Sequence, residues 1–267
     1  MSDFLERWNP NELLHKKSWV MTLLGNKRMG KSYAASWFCH YLAIHKKFDL
    51  VISFCGSAAA NPELLEIFTQ YHDNRFMFDT FNCKFLRTLL EQQENLKSQN
   101  RTRNVLLIID DVEIAPEDFS FLGFISTRHR HHSISLMCLS VRFSYVHKSI
   151  RCATDFLLLF NTPTYSDRTM LLKEHSENPR LASFCMKQLE KYQCLVLQSG
   201  FKQKIYVFRV EDSPSNFSLQ PTSTDEENIQ NTTAPSPCDT KIQEEPLSES
   251  NEEIPPTNSC PNTVLSV

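Results

Sequence analysis

Two glycines five residues apart, with lysine and serine directly behind the second, constrain this chain's fold more than anything else in it. Gly25-Asn26-Lys27-Arg28-Met29-Gly30-Lys31-Ser32 fills every fixed position of the pattern GxxxxGK[ST]. An apolar, β-prone run, residues 18–24, leads into it, and residues 32–45 follow with Tyr33, Trp37 and Tyr41 at helical spacing. A strand, a glycine loop and a helix in that order aim successive backbone N–H groups at one point, where the helix dipole adds positive potential. Glycine supplies the positive φ and the close backbone approach such a loop needs. The whole chain holds only five glycines, so two in this loop are not a by-product of glycine-rich composition. The pattern predicts a cradle for the phosphates of ATP built from Gly25, Asn26, Lys27, Arg28, Met29, Gly30, Lys31 and Ser32, with Tyr33 beside it. Lys31 would bridge the β- and γ-phosphates, and the Ser32 hydroxyl would ligate Mg2+. Lys27 and Arg28 face either nucleotide or solvent.

A second element has the chemistry that complements a triphosphate. Val105-Leu106-Leu107-Ile108-Ile109 is aliphatic throughout, as in a strand buried on both faces of a parallel sheet, and it ends in Asp110-Asp111. Such a strand tip holds Asp110 near the magnesium at Ser32. Asp111 then faces the γ-phosphate, where it orients and partly deprotonates the attacking water. Glutamate is the commoner base at that place, so the shorter Asp111 must sit about one methylene closer. Glu113 is a weaker substitute for the base.

The rest of the chain alternates strands and helices. Strands are expected at 49–54, 75–78, 134–139 and 155–160, and helices at 84–99, 116–126 and 167–192, the last interrupted at Pro179. A closing hairpin is expected from 194–197 and 205–210 through Ser199 and Gly200. This order predicts an α/β domain of the P-loop NTPase type, with a mostly parallel sheet covered by helices on both faces. The expected boundaries are an N-terminal extension at 1–17, the domain at 18–212 and a disordered Pro/Ser/Glu-rich tail at 213–267.

The tail carries eight of the thirteen prolines and too little apolar surface to fold alone. Either it is a solubilising extension, or it binds a protein partner or competes with a polyanion for the basic body. From Glu211 onward eleven acids face Lys241 alone, which leaves 27 basic and 20 acidic residues in the body. The net charge of −3 therefore hides a basic body suited to a polyanion. Nine scattered cysteines, without CxxC pairs, read as core residues of a reducing compartment. No apolar run approaches the roughly 20 residues a membrane span needs, and neither insertion nor secretion is expected.

Thr127-Arg128-His129-Arg130-His131-His132-Ser133-Ile134-Ser135 packs five basic or titratable side chains ahead of a buried strand. By itself this is a zinc site, an anion site or a solvated loop. Taken in order, however, GNKRMGKS, LLIIDD, RHRHHSIS and Ser149-Ile150-Arg151 resemble the genome-packaging ATPases of poxviruses, other large DNA viruses and virus-like transposons, within the FtsK/HerA superfamily. The resemblance covers residues 19–160. The family's RxRHxxIS-like segment maps onto Arg128, Arg130, His131, Ile134 and Ser135.

The resemblance implies an additional-strand P-loop ATPase using ATP and Mg2+. It implies a homo-oligomeric ring, commonly a hexamer, that threads double-stranded DNA into a capsid and touches a capsid or portal protein. Residence would be intracellular, in the host nucleus or cytoplasm where capsids assemble, or with the virion. Arg128 or Arg130, with Arg151 as a second choice, would reach the neighbouring subunit's γ-phosphate as an arginine finger, a device that elsewhere accounts for about 10³ to 10⁵ in rate. A surface patch contacting DNA phosphate or solvent is the other reading of each arginine. The family's sensor pair, Thr or Ser then Gln, is matched at Ser140 but not at Val141, which has no hydrogen-bonding group. Two other readings stand beside the motor: a non-packaging ATPase of virion assembly, secretion or nucleotide-dependent scaffolding, and a small-molecule kinase, for which no arginine-rich lid is evident.

Overall fold

A computed structural model describes residues 5–56, 75–161, 165–200 and 203–210. The tail from 213 lies outside the described residues. Helix α1 (Asn11–His15) precedes β1 (Val20–Leu24), and α2 (Lys31–Ile44) leads to β2 (Leu50–Cys55). Then follow β3 (Arg75–Phe78), α3 (Cys83–Ser98), β4 (Val105–Asp110) and α4 (Phe119–Arg128). The second half runs β5 (Ile134–Ser140), α5 (Lys148–Ala153), β6 (Phe156–Leu159), α6 (Tyr165–His175), α7 (Pro179–Lys187), β7 (Gln193–Gln198) and β8 (Lys204–Arg209).

These strands form one sheet in the order β3-β2-β4-β5-β1-β6-β7-β8. The first six are parallel, and β7 and β8 add an antiparallel hairpin. Strand β5 stands between β1, which feeds the glycine loop, and β4, which ends in the acid pair. This is the additional-strand arrangement of P-loop NTPases.

The central strands are apolar because both faces are covered. Met21, Leu23, Leu106, Ile108, Met137 and Leu139 point to one face with Phe38 and Leu42 of α2. Val20, Leu24, Leu107, Ile109, Leu136 and Cys138 point to the other, with Leu86 and Leu90 of α3 and Leu122 and Ile125 of α4. Burial, with the charge of Asp110, pushes the Cys138 thiol up to about 12, so this cysteine behaves as an apolar core residue.

Helix boundaries follow local chemistry. The Asn82 side chain accepts from Phe85 N at 3.0 Å to start α3, and Asn178 accepts from Leu181 N at 3.1 Å with Pro179 at the first helical position of α7. The helix expected from Pro116 begins instead as a 3₁₀ turn, Pro116–Asp118, and α4 continues two residues beyond the expected end, to Arg128. Its last turn therefore takes in the first arginine of the basic cluster.

The segment read as an N-terminal extension contributes to the core. Trp8 is 3% exposed, and its ring lies 5.4–5.8 Å from those of Phe38, Phe156 and Phe208. Trp8 N donates to Val207 O at 2.9 Å and Val207 N to Glu6 O at 3.1 Å, so residues 6–8 run along β8 and cover part of that edge. Leu13 is fully buried, and the Trp19 indole donates to its carbonyl at 3.2 Å. Composition alone hid this, because residues 5–17 carry few apolar side chains, and Leu5, Trp8, Leu13 and Leu14 all pack in or against the core. Trp8→Ala is expected to cost about 3–5 kcal/mol, read as a shifted midpoint in urea unfolding.

Candidate functional site

The glycine loop closes on itself around Lys31. The lysine is 8% exposed, and its Nζ donates to Gly25 O at 2.7 Å and Asn26 O at 2.9 Å. An ammonium has three donors, so one remains for a phosphate. Burial draws the Lys31 pKa below its ordinary value, while the charges of Asp110 and Asp111 resist that fall. A phosphate would supply the same support more closely.

Two glycines are required by geometry. A Cβ on Gly25 would lie 2.5 Å from Phe160 Cβ, and Gly30 has φ +105° with a Cβ position 2.9 Å from the Tyr192 ring. Arg28 also has positive φ, 64°, which turns its side chain toward the cleft that it lines with Lys27. Met29 packs against the core instead, and the Tyr33 ring lies 5.4 Å from that of Tyr192. The loop is tied to the sheet by Gly25 N to Ser140 O and Asn26 N to Asn161 O, both 3.3 Å.

A cleft of about 380 Å3 opens against Lys31 and Ser32, and Asp110, Asp111 and Ser140 line it. Asp110 is 9% exposed, with no ion-pair partner among the described residues and Cys55 Sγ 4.0 Å from Oδ2. A buried carboxylate without a direct counterion, in the same cleft as the Ser32 hydroxyl, fits a hard divalent ion held by oxygen ligands. Ser32 and Asp110 are the residues that would hold Mg2+.

Asp111 is exposed in the cleft with φ +48°, a left-handed conformation that Asp tolerates better than most residues. Gly56 makes that turn possible. Its N–H donates to Asp110 O at 3.2 Å, and a Cβ there would meet Asp111 O at 2.3 Å. Glu113 does not line the cleft. The Ser140 hydroxyl donates to Arg142 O at 2.9 Å, and Val141 presents only carbon.

None of the three arginines lines the cleft. Arg130 pairs at 3.0 Å with Asp155, which also accepts from Val20 N at 2.9 Å and approaches Lys16 at 3.5 Å. Val20 begins β1 and the loop follows its end, about 15 Å away at roughly 3.3 Å per residue. Arg128 is exposed over the Phe124 ring at 4.6 Å. Arg151 pairs with Glu174 at 3.1 Å and lies over Phe143 at 4.4 Å. The histidines of the cluster also separate: His129 is buried, its pKa lowered chiefly by burial, whereas His131 is exposed. Among the described residues no three His, Cys, Asp or Glu side chains group as a metal site, and no helix is long and apolar enough to cross a membrane.

Sequence reasoning missed the far wall of the cleft, formed by Phe119, Leu122, Tyr145, Val146, His147 and Ile150. Its residues come from α4, from the connection between β5 and α5, and from α5 itself. No spacing pattern announces them, because the wall assembles only when that connection folds back over the strand tips.

No family model matches the chain, and no curated protein matches it. Solved structures show the same fold. The genome packaging NTPase B204 from Sulfolobus turreted icosahedral virus 2, in complex with AMP, is 19% identical over 68% of this chain and 94% of its own, with a TM-score of 0.51. EssC (ATPases 2 and 3) from Geobacillus thermodenitrificans is 12% identical over 76% of this chain and 41% of its own, at 0.53. The Type VII secretion ATPase EccC of Thermomonospora curvata is 12% identical over 71% and 25%, at 0.51. The class this fold and site define is that of P-loop NTPases with an additional strand. At these identities the likeness is one of fold.

The carboxylate of Asp110 makes a testable liability. Burial raises its pKa above the ordinary value, Asp111 adds to the rise, and Lys31 opposes it. The folded state therefore holds this proton more tightly than the unfolded chain, and ionisation at neutral pH costs stability. That cost vanishes as pH falls below the ordinary carboxylate value of about 3.9. Asp110→Asn should raise the melting temperature of the nucleotide-free protein at neutral pH and lose this advantage in acid, as scanning calorimetry across pH would show.

Proposed function

We propose that this chain is an ATPase motor that moves double-stranded DNA into a viral capsid. The observation that carries the reading is the convergence of Lys31, Ser32, Asp110 and Asp111 on one cleft beneath a phosphate-type loop. In this reading loop N–H groups and the third donor of Lys31 hold the β- and γ-phosphates. Ser32 and Asp110 would hold magnesium, which would supply neutralisation of charge on the phosphates. Asp111, turned into the cleft by its positive φ, orients the attacking water and accepts its proton.

Among the described residues that line the cleft, Arg28 is the one arginine. Arg128 and Arg130 lie toward the other end of the domain, so either serves as a finger only for a neighbouring copy. A homo-oligomeric ring, six subunits being the expected number, meets that requirement. The basic body suits DNA phosphate, and DNA stimulation should weaken as salt rises. A capsid or portal protein as partner, and action in the host nucleus or cytoplasm at assembly sites, follow from the same reading.

A second reading, a non-packaging ATPase of virion assembly or a nucleotide-dependent scaffold, is favoured by Val141, which removes the usual sensor amide. The shared fold with a Type VII secretion ATPase, at a TM-score of 0.51, supports it too. ATP turnover with and without double-stranded DNA separates the two. The motor reading expects stimulation; rings that hydrolyse ATP at one rate whatever DNA is added would sink it. Lys31→Ala should lower turnover by about 10²-fold or more. Asp111→Asn keeps the backbone preference and removes the base, so the protein should still bind ATP while hydrolysing it slowly. Gly56→Ala, which touches no nucleotide, should also cost about 10²-fold by displacing the acid turn.

A further inference from the structure

The far wall of the cleft carries two polar side chains, Tyr145 and His147, and they differ in how firmly they are held. Tyr145 is 65% exposed, with Arg142 over its ring at 5.6 Å. His147 is half-buried and fixed on two sides. Its ring stacks on Phe119 at 5.3 Å between centroids and 11° between planes. Its Nδ1 accepts from Ser149 N at 3.3 Å. A neutral imidazole that accepts at Nδ1 carries its proton on Nε2. The stack and the backbone bond therefore fix both the plane and the tautomer, and Nε2–H has no acceptor among the described residues.

The strand tip beneath lacks a donor in the expected place. Val141 has none, and the Ser140 hydroxyl is engaged by the Arg142 carbonyl. We propose that His147 donates its Nε2–H to the terminal phosphate of a bound triphosphate, reading the presence of that phosphate in place of the missing amide. The inference rests on the nucleotide-binding part of the function proposed above and not on DNA translocation. It gives the connection from Arg142 to α5 a direct contact with the group that hydrolysis removes. A triphosphate would thus hold the His147 wall toward the loop, and a diphosphate would not.

The test compares binding of ADP and of the non-hydrolysable triphosphate AMPPCP, each with Mg2+, to the full chain. His147→Asn keeps an acceptor for Ser149 N, since Asn is among the best N-cap residues, but withdraws the donor from the cleft. His147→Phe keeps the stack on Phe119 and removes both the donor and the cap. In both variants the preference for AMPPCP over ADP is expected to fall about tenfold, the size of one hydrogen bond to a charged group, with ADP affinity within about twofold of wild type. An unchanged preference in His147→Asn overturns the proposal whatever turnover does, because it assigns the histidine to packing and capping alone. A wild type that binds neither nucleotide overturns both proposals. The presence or absence of DNA stimulation bears only on the motor.

Discussion

The ammonium of Lys31 ties the start of α2 to the end of β1. With Nζ on the carbonyls of Gly25 and Asn26, the first residue of the helix reaches back across the loop to the strand's exit. The loop must then curl tightly enough for its carbonyls to meet one cation, which is why Gly25 lies against the Phe160 backbone and Gly30 takes a positive φ. It also means that β6 must be in place before the loop can be, since Phe160 and Asn161 form its outer support. A buried cation on carbonyls alone is poorly balanced, and the two acids at the tip of β4 supply the long-range compensation. The sheet order follows from that requirement: β5 sets the spacing between β1 and β4, and with it the width of the cleft.

Much of this was legible in the sequence, for reasons that differ by element. The strands announce themselves because a sheet buried on both faces requires uninterrupted aliphatic runs, as in residues 105–109 and 134–139. The loop and the acid pair are local motifs whose chemistry fixes their spacing. Strand order is not local. Nothing in residues 134–139 says that they insert between β1 and β4, and that placement came with the fold. Trp8 was overlooked because one tryptophan in a polar segment has no periodicity to betray its burial. His147 was overlooked for a related reason: its neighbours in the cleft, Phe119 and Asp111, are distant in sequence and share no spacing with it.

The arginine cluster shows the opposite case, a motif visible in sequence whose geometry redirects its meaning. Arg130 is held by Asp155, which also accepts from the backbone of Val20 and so pins the start of β1. The guanidinium remains 70% exposed, so the pair orients the arginine outward without hiding it. One carboxylate thus serves the sheet with one oxygen and the surface with the other. With Asp155 buried and Arg130 largely in solvent, the pair displays the arginine's charge to whatever approaches that end of the domain.

Gly56 and Asp111 follow the ends of different strands, β2 and β4, yet the carbonyl of Asp111 occupies the space where a side chain at 56 would begin. The backbone turn at residue 111 and the size of residue 56 are consequently one character and not two. A lineage of this protein that lengthens its acid to glutamate must also settle the left-handed turn that an aspartate accepts more readily, and residue 56 cannot gain a side chain while that turn stands. Among descendants of this sequence residue 56 is therefore expected to stay glycine for as long as residue 111 keeps its left-handed turn, so that the geometry of the acid is recorded in a glycine 55 residues upstream.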